Sequence, residues 1–123
     1  YGIDNVYFSP TFDLHHEFNE PDSTQFNILM AHIPETEELD NFGVDLILSG
    51  DTHGGMLRLP FLGPVYYNGY ILPKLTYPRK ITDKGLYDLG NKEIFVTSGL
   101  GDYPAPVRLF NRPEIGIITI KAK

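Results

Sequence analysis

At 123 residues the chain has the length of one small domain, and its 41% hydrophobic and 21% charged residues are the ordinary balance of a globular fold rather than of a disordered one. A formal net charge of −6 argues against nonspecific nucleic-acid binding, which needs a basic face; a phosphate substrate remains open, because acidic residues can hold cations that bind phosphate. There is no cysteine, so disulfides and thiolate zinc sites are excluded and any metal must rest on His, Asp, Glu, Asn or water.

No apolar run approaches the roughly 18 residues of a membrane span. The opening Tyr1-Gly2-Ile3-Asp4 has neither basic flank nor apolar signal core and reads as a start within a longer chain. After a short strand there, Ser9 to Ser23 mixes Pro, Asp, Asn, Glu and His without apolar period, which predicts a surface loop carrying His15 and His16 as solvated side chains, contact with a substrate or metal being the rival reading. The nearly continuous apolar run Phe26 to Ala31, ending in His32, predicts a strand covered on both faces. Pro34 and the acidic residues after it suit a first helical turn, so a short helix to about Phe42 is expected, stopped by Gly43.

Val44 to Ser49 predicts a second buried strand, running straight into Gly50-Asp51-Thr52-His53-Gly54-Gly55. Strand, helix, strand with short connections is a crossover unit, so the two strands should be parallel. Their C-terminal ends, where open α/β sheets place their sites, would then carry both His32 and the Asp51 to His53 turn. From Met56 to Lys84 the chain is rich in Pro, Gly and Tyr, an irregular excursion with one short strand around Val65 to Tyr67. Leu86 to Leu89 and Glu93 to Ser98 predict a hairpin through Gly90-Asn91, and Glu114 to Lys121, with four isoleucines, predicts a final strand. Several strands are too apolar to face water, yet one short helix is all that would cover them. More structure, from the rest of a longer chain or from a second copy, should pack on this sheet.

Asp51 and His53 lie two apart in a glycine-flanked turn, and His32 can reach the same region. Two imidazoles and a carboxylate without sulfur suit Mn²⁺, Fe or Zn²⁺ without choosing among them. The alternative is that Asp51 anchors a turn and the two histidines satisfy local hydrogen bonds.

The stretch Ile28 to Pro34, then Val44 to Gly50 leading into Asp51-Thr52-His53-Gly54-Gly55, then Arg58 to Pro64, resembles the second half of the calcineurin-like metallophosphoesterases. Ser98-Gly99-Leu100-Gly101 and Pro106 to Glu114 are similar to the end of one bacterial branch of that superfamily. The resemblance implies an α/β fold: residues 1–123 as a single partial domain, mostly β with few helices, forming the C-terminal half of a four-layer αββα sandwich whose N-terminal half is absent.

It also implies two divalent metal ions and phosphoester hydrolysis in the full-length protein. Carried over by position, His32 and Asp51 would serve one ion and His53 the other. Asp51 departs from the family pattern, where histidine is commoner; a harder, charged ligand tilts preference toward Mn²⁺ or Fe²⁺ and away from Zn²⁺, or weakens that site. The family's Asp-x-His pair, its bridging aspartate from Gly-Asp-x-x-Asp and its Gly-Asn-His asparagine do not occur in this chain. Without the bridging carboxylate two ions would not sit roughly 3.5 to 4 Å apart, so the chain alone should be inactive. The implied partners are the N-terminal half of the same protein and a phosphoester substrate, with self-association of the fragment through its uncovered sheet.

Arg108 and Arg112 are candidates for a substrate phosphate, with ordering of the tail loop as the rival role for each. Gly99 and Gly101, and the tyrosines Tyr66, Tyr67, Tyr70 and Tyr77, carry similar two-sided readings. The rival to an enzyme is a noncatalytic binding or interaction module with a degenerate metal site, Asp51 being the visible symptom. A generic β-rich domain with an accidental motif is the third reading. Substrate and localisation are open, the full-length protein being cytoplasmic or membrane-associated.

Overall fold

The computed structural model describes residues 1–4, 13–34, 39, 41–67, 69–76, 82–102 and 106–121. Its centre is a five-stranded sheet. The contributing strands are β1 (Gly2–Ile3), β2 (Ile28–Ala31), β3 (Leu46–Ser49), β8 (Gly85–Asp88) and β9 (Glu93–Val96), in the order β1-β2-β3-β9-β8. The first four in that order are parallel, and β8 closes the edge antiparallel to β9. The expected parallel pairing is therefore present, with Ile28 opposite Leu46 and Met30 opposite Leu48, and so is the hairpin around Gly90.

Alternation sorts the strand side chains into two faces. Leu29, Ala31, Ile47, Ile94 and Val96 point to one face and are buried with Leu14, Leu39, Phe42 and Val44. Phe42 is the plug of this core: it is fully buried and makes edge contacts with the rings of Tyr1 and His15 at 5.3 and 5.7 Å. Lys92, also buried, donates from Nζ to the carbonyls of Leu39 and Phe42 at 3.0 and 2.7 Å, which satisfies its charge inside the layer.

The opposite face carries Met30, Leu48, Phe95 and Leu86 in register across four strands. Met30 and Leu86 are each 59% exposed. A shallow groove of about 350 Å³ runs over this face, lined by Met30, Leu48, Phe95 and Ile118, and reaches His32 at the C-terminal edge. Strands expected to be covered on both sides are thus covered on one.

Three local expectations need correction. Residues 13–17 are not all loop: α1 (Leu14–Glu17) forms one helical turn, because the Asp13 carboxylate caps the N–H of His15 at 2.9 Å and Leu14 anchors it in the core. His15 is not merely solvated there; its Nδ1 pairs with Glu20. Between Met56 and Lys84 lie two small antiparallel pairs, β4 (Arg58–Leu59) with β5 (Gly63–Pro64) and β6 (Tyr66–Tyr67) with β7 (Tyr70–Ile71), followed by a single turn, α2 (Pro73–Thr76).

The third correction is the final strand. Residues 114–121 join no strand among the described residues, and Ile115 and Ile117 are 76% and 91% exposed. This segment crosses the open sheet face instead of joining an edge; the Gly116 backbone lies so close to the Phe95 ring that a Cβ there would come within 2.6 Å of it. The helix expected from Pro34 to Phe42 falls largely on residues outside the described ones, and Tyr77 lies outside them too. Among the described residues, no helix is long and apolar enough to cross a membrane.

Candidate metal centre

Parallel pairing brings the ends of β2, β3 and β9 to one edge. His32 follows β2 directly, Asp51 stands two residues beyond β3, and Ser98 two residues beyond β9. The ladder continues past the strands through Gly50 N–H to His32 O at 3.0 Å and Thr97 N–H to Ser49 O at 2.9 Å. Held this way, His32 Nε2 lies 3.3 Å from Asp51 Oδ1, with both side chains about half exposed.

Of the three residues expected to ligate metal, His32 and Asp51 are thus adjacent. His53 stands apart, one turn further on, with its ring against Gly101, where an added Cβ would lie 3.5 Å from Cε1. Among the described residues, no group of three or more His, Cys, Asp or Glu side chains is gathered tightly enough to hold a metal ion. The donor chemistry of the adjacent pair, one imidazole nitrogen and one carboxylate oxygen open to solvent, fits a divalent cation; the number of donors is short of a full coordination shell.

The Gly50 to Gly55 turn is unusual in its backbone. Asp51, His53 and Met56 all have positive φ, at 58°, 48° and 42°, and His53–Gly55 closes as a 3₁₀ turn. Gly55 is required by space as well as by its φ of 78°, because a Cβ there would sit 2.3 Å from Pro64 Cβ. Thr52 Oγ1 accepts from the Gly54 N–H at 3.2 Å and donates to Asp83 O at 2.6 Å. Arg58 Nη1 donates to Gly54 O and to Asp83 Oδ2, both at 2.5 Å. Asn111 Nδ2 donates to His53 O.

Asp83 is only 2% exposed, and its other carboxylate oxygen accepts from the Tyr87 hydroxyl at 2.7 Å. Burial, reinforced by the neighbouring carboxylate, pushes the Tyr87 phenol up to about 12, so it stays a donor through the physiological range. None of Asp83, Thr52 or Asn111 stood out in the sequence. They are 28 to 59 residues apart, and no spacing rule links them.

Arg108, expected as a substrate contact, donates from Nε to Gly101 O at 3.0 Å and from Nη2 to Ser98 O at 2.7 Å. These bonds fasten the loop beside His53. Its Nη1 is buried and has no hydrogen-bond partner among the described residues. Arg112 contributes its carbonyl to the same region, 3.5 Å from Ser98 Oγ. Glu114 completes the knot, accepting from the Ser98 N–H and hydroxyl at 3.2 and 3.0 Å and lying 3.1 Å from Lys84 Nζ. Burial alone would raise the Glu114 carboxyl, but the Ser98 amide, Lys84 and the Ser98 hydroxyl outweigh it and hold it below the usual carboxylate range.

No protein-family model matches the chain, and no solved structure matches it significantly. Curated sequences do. The uncharacterized metallophosphoesterase YkuE of Bacillus subtilis is 37% identical over 79% of this chain and 32% of its own length. An uncharacterized metallophosphoesterase of Aquifex aeolicus is 36% identical over 83% of this chain and 35% of its own length. The phosphodiesterase YaeI of Escherichia coli is 32% identical over 76% of this chain and 32% of its own length. The chain spans about a third of the length of these relatives. At this identity over most of its length, the chain belongs to the calcineurin-like metallophosphoesterases.

Proposed function

We propose that the full-length protein hydrolyses phosphoesters with divalent metal ions, and that this chain supplies His32, Asp51 and His53 to their coordination. The observation that carries the reading is the approach of His32 Nε2 to Asp51 Oδ1, 3.3 Å, at the ends of two adjacent parallel strands. When bound, the ions would supply Lewis-acid activation of water and of the phosphoryl oxygens. The chain's own part is to present one imidazole and one carboxylate from the sheet edge, and a second imidazole from the turn beside Gly101.

Asp51 favours Mn²⁺ or Fe²⁺ over Zn²⁺, since a carboxylate is a harder donor than imidazole. The similarity to a protein named as a phosphodiesterase supports a phosphodiester as the substrate class. Three donors are too few to hold two metal ions, so the chain by itself is proposed to be inactive and to depend on ligands from the remainder of the protein. Reading the coding sequence upstream of Tyr1 tests this at once: Asp-x-His, Gly-Asp-x-x-Asp and Gly-Asn-His are expected in that order. Their absence would favour the noncatalytic binding module.

The open sheet face belongs to the same proposal. Met30, Leu86 and the tail isoleucines form an apolar surface that the rest of the longer protein is proposed to cover. The isolated 123-residue chain should therefore self-associate, running in light scattering as dimers or larger species. A monodisperse monomer would contradict this.

A further inference from the structure

We infer that Thr52, Arg58, Asp83 and Asn111 form a clamp that holds the Asp51 to Gly55 turn in its left-handed backbone, acting as positioning residues for the metal centre; the metal part rests on the function proposed above. Three non-glycine residues with positive φ within six positions form a conformation that L residues rarely adopt, and it persists only where the surroundings over-determine it. The clamp supplies that over-determination. Its bonds fall on the main chain at and just after His53: on the carbonyls of His53 and Gly54 and on the Gly54 N–H.

The clamp is anchored far away in sequence. Arg58 reaches the turn while paired to Asp83, 25 residues on, and Asp83 also takes the Thr52 hydroxyl on its backbone oxygen. Asn111 is 58 residues from His53 and only 3% exposed. A buried carboxylate is costly unless it is paired and hydrogen-bonded, and Asp83 receives both Arg58 and Tyr87. None of the four side chains is a candidate ligand. Removing their bonds should free the backbone that orients His53 and Asp51 without deleting a donor to the ion.

The test uses the full-length protein with Thr52→Val, which keeps the shape and loses the hydroxyl, and Thr52→Ser, which keeps it. Amide hydrogen exchange over residues 53–56 and the Mn²⁺ concentration at half-maximal activity are read together. Thr52→Val should speed exchange in the turn and raise the Mn²⁺ requirement about ten- to a hundredfold, the usual scale for partners of metal ligands. Thr52→Ser should stay close to the parent. Asp83→Asn should act in the same direction as Thr52→Val; if it fails to fold, the Thr52 pair decides. Unchanged exchange in Thr52→Val, or a Thr52→Ser variant as impaired as Thr52→Val, overturns the clamp. Faster exchange with an unmoved Mn²⁺ requirement overturns positioning and leaves a purely structural tie. If the parent shows no metal dependence, the proposed function fails, and exchange alone decides whether the clamp holds the turn.

Discussion

Replacing His53 by alanine in the full-length protein should lower Mn²⁺-stimulated cleavage of an aryl phosphodiester by at least about a hundredfold, since losing a ligand should cost as much as the worst loss of its supporting partners. The expectation follows from where the side chain sits. His53 leaves a turn whose carbonyl is gripped by Asn111, and its ring lies against Gly101 in a loop fastened by Arg108. The main chain that carries the imidazole is thus tied down, and Gly101 borders the ring. The loss should come with little change in thermal stability, because the His53 side chain is not part of the buried apolar cluster. A variant with parental activity would remove His53 from the mechanism.

The second large effect is on stability. Gly55→Ala should destabilise the protein by about 2 to 5 kcal/mol, combining roughly 1–2 for a left-handed alanine with roughly 1–3 for the clash against Pro64. Gly69→Ala separates the two contributions, since Gly69 has φ 83° but nothing within 4 Å of an added Cβ. It should lose only the backbone part. Denaturant midpoints of the two variants check this, and a Gly55→Ala loss no larger than that of Gly69→Ala would show that Pro64 yields freely.

The parallel strands were legible because their apolar runs are nearly continuous and end in polar or glycine residues, Ala31-His32 and Ser49-Gly50. The hairpin was legible from Gly90-Asn91 between two strand-like segments. The four isoleucines of the tail misled for a physical reason: β-branched residues favour extended backbone, which the segment adopts, but a strand also needs a partner edge. The tail lies across Phe95 and finds none among the described residues.

At the site, the sequence placed His32 and Asp51 at one sheet edge because parallel topology follows from local pattern. It expected His53 to converge on them as well, whereas the strained turn sets the His53 ring beside Gly101. Nor could it identify Asp83, Asn111 or Thr52 as the turn's anchors, which meet only through long-range folding. For Arg108 the sequence left both phosphate binding and ordering of the tail loop open. Its guanidinium suits phosphate, and the fold turns it to the carbonyls of Ser98 and Gly101.

Metal-dependent phosphodiester cleavage by the purified full-length protein tests the central claim most directly. Activity should fall to background after chelation and return with Mn²⁺ or Fe²⁺ more fully than with Zn²⁺, as the carboxylate of Asp51 directs. Cleavage that survives complete removal of metal, or none with any divalent ion, would contradict it.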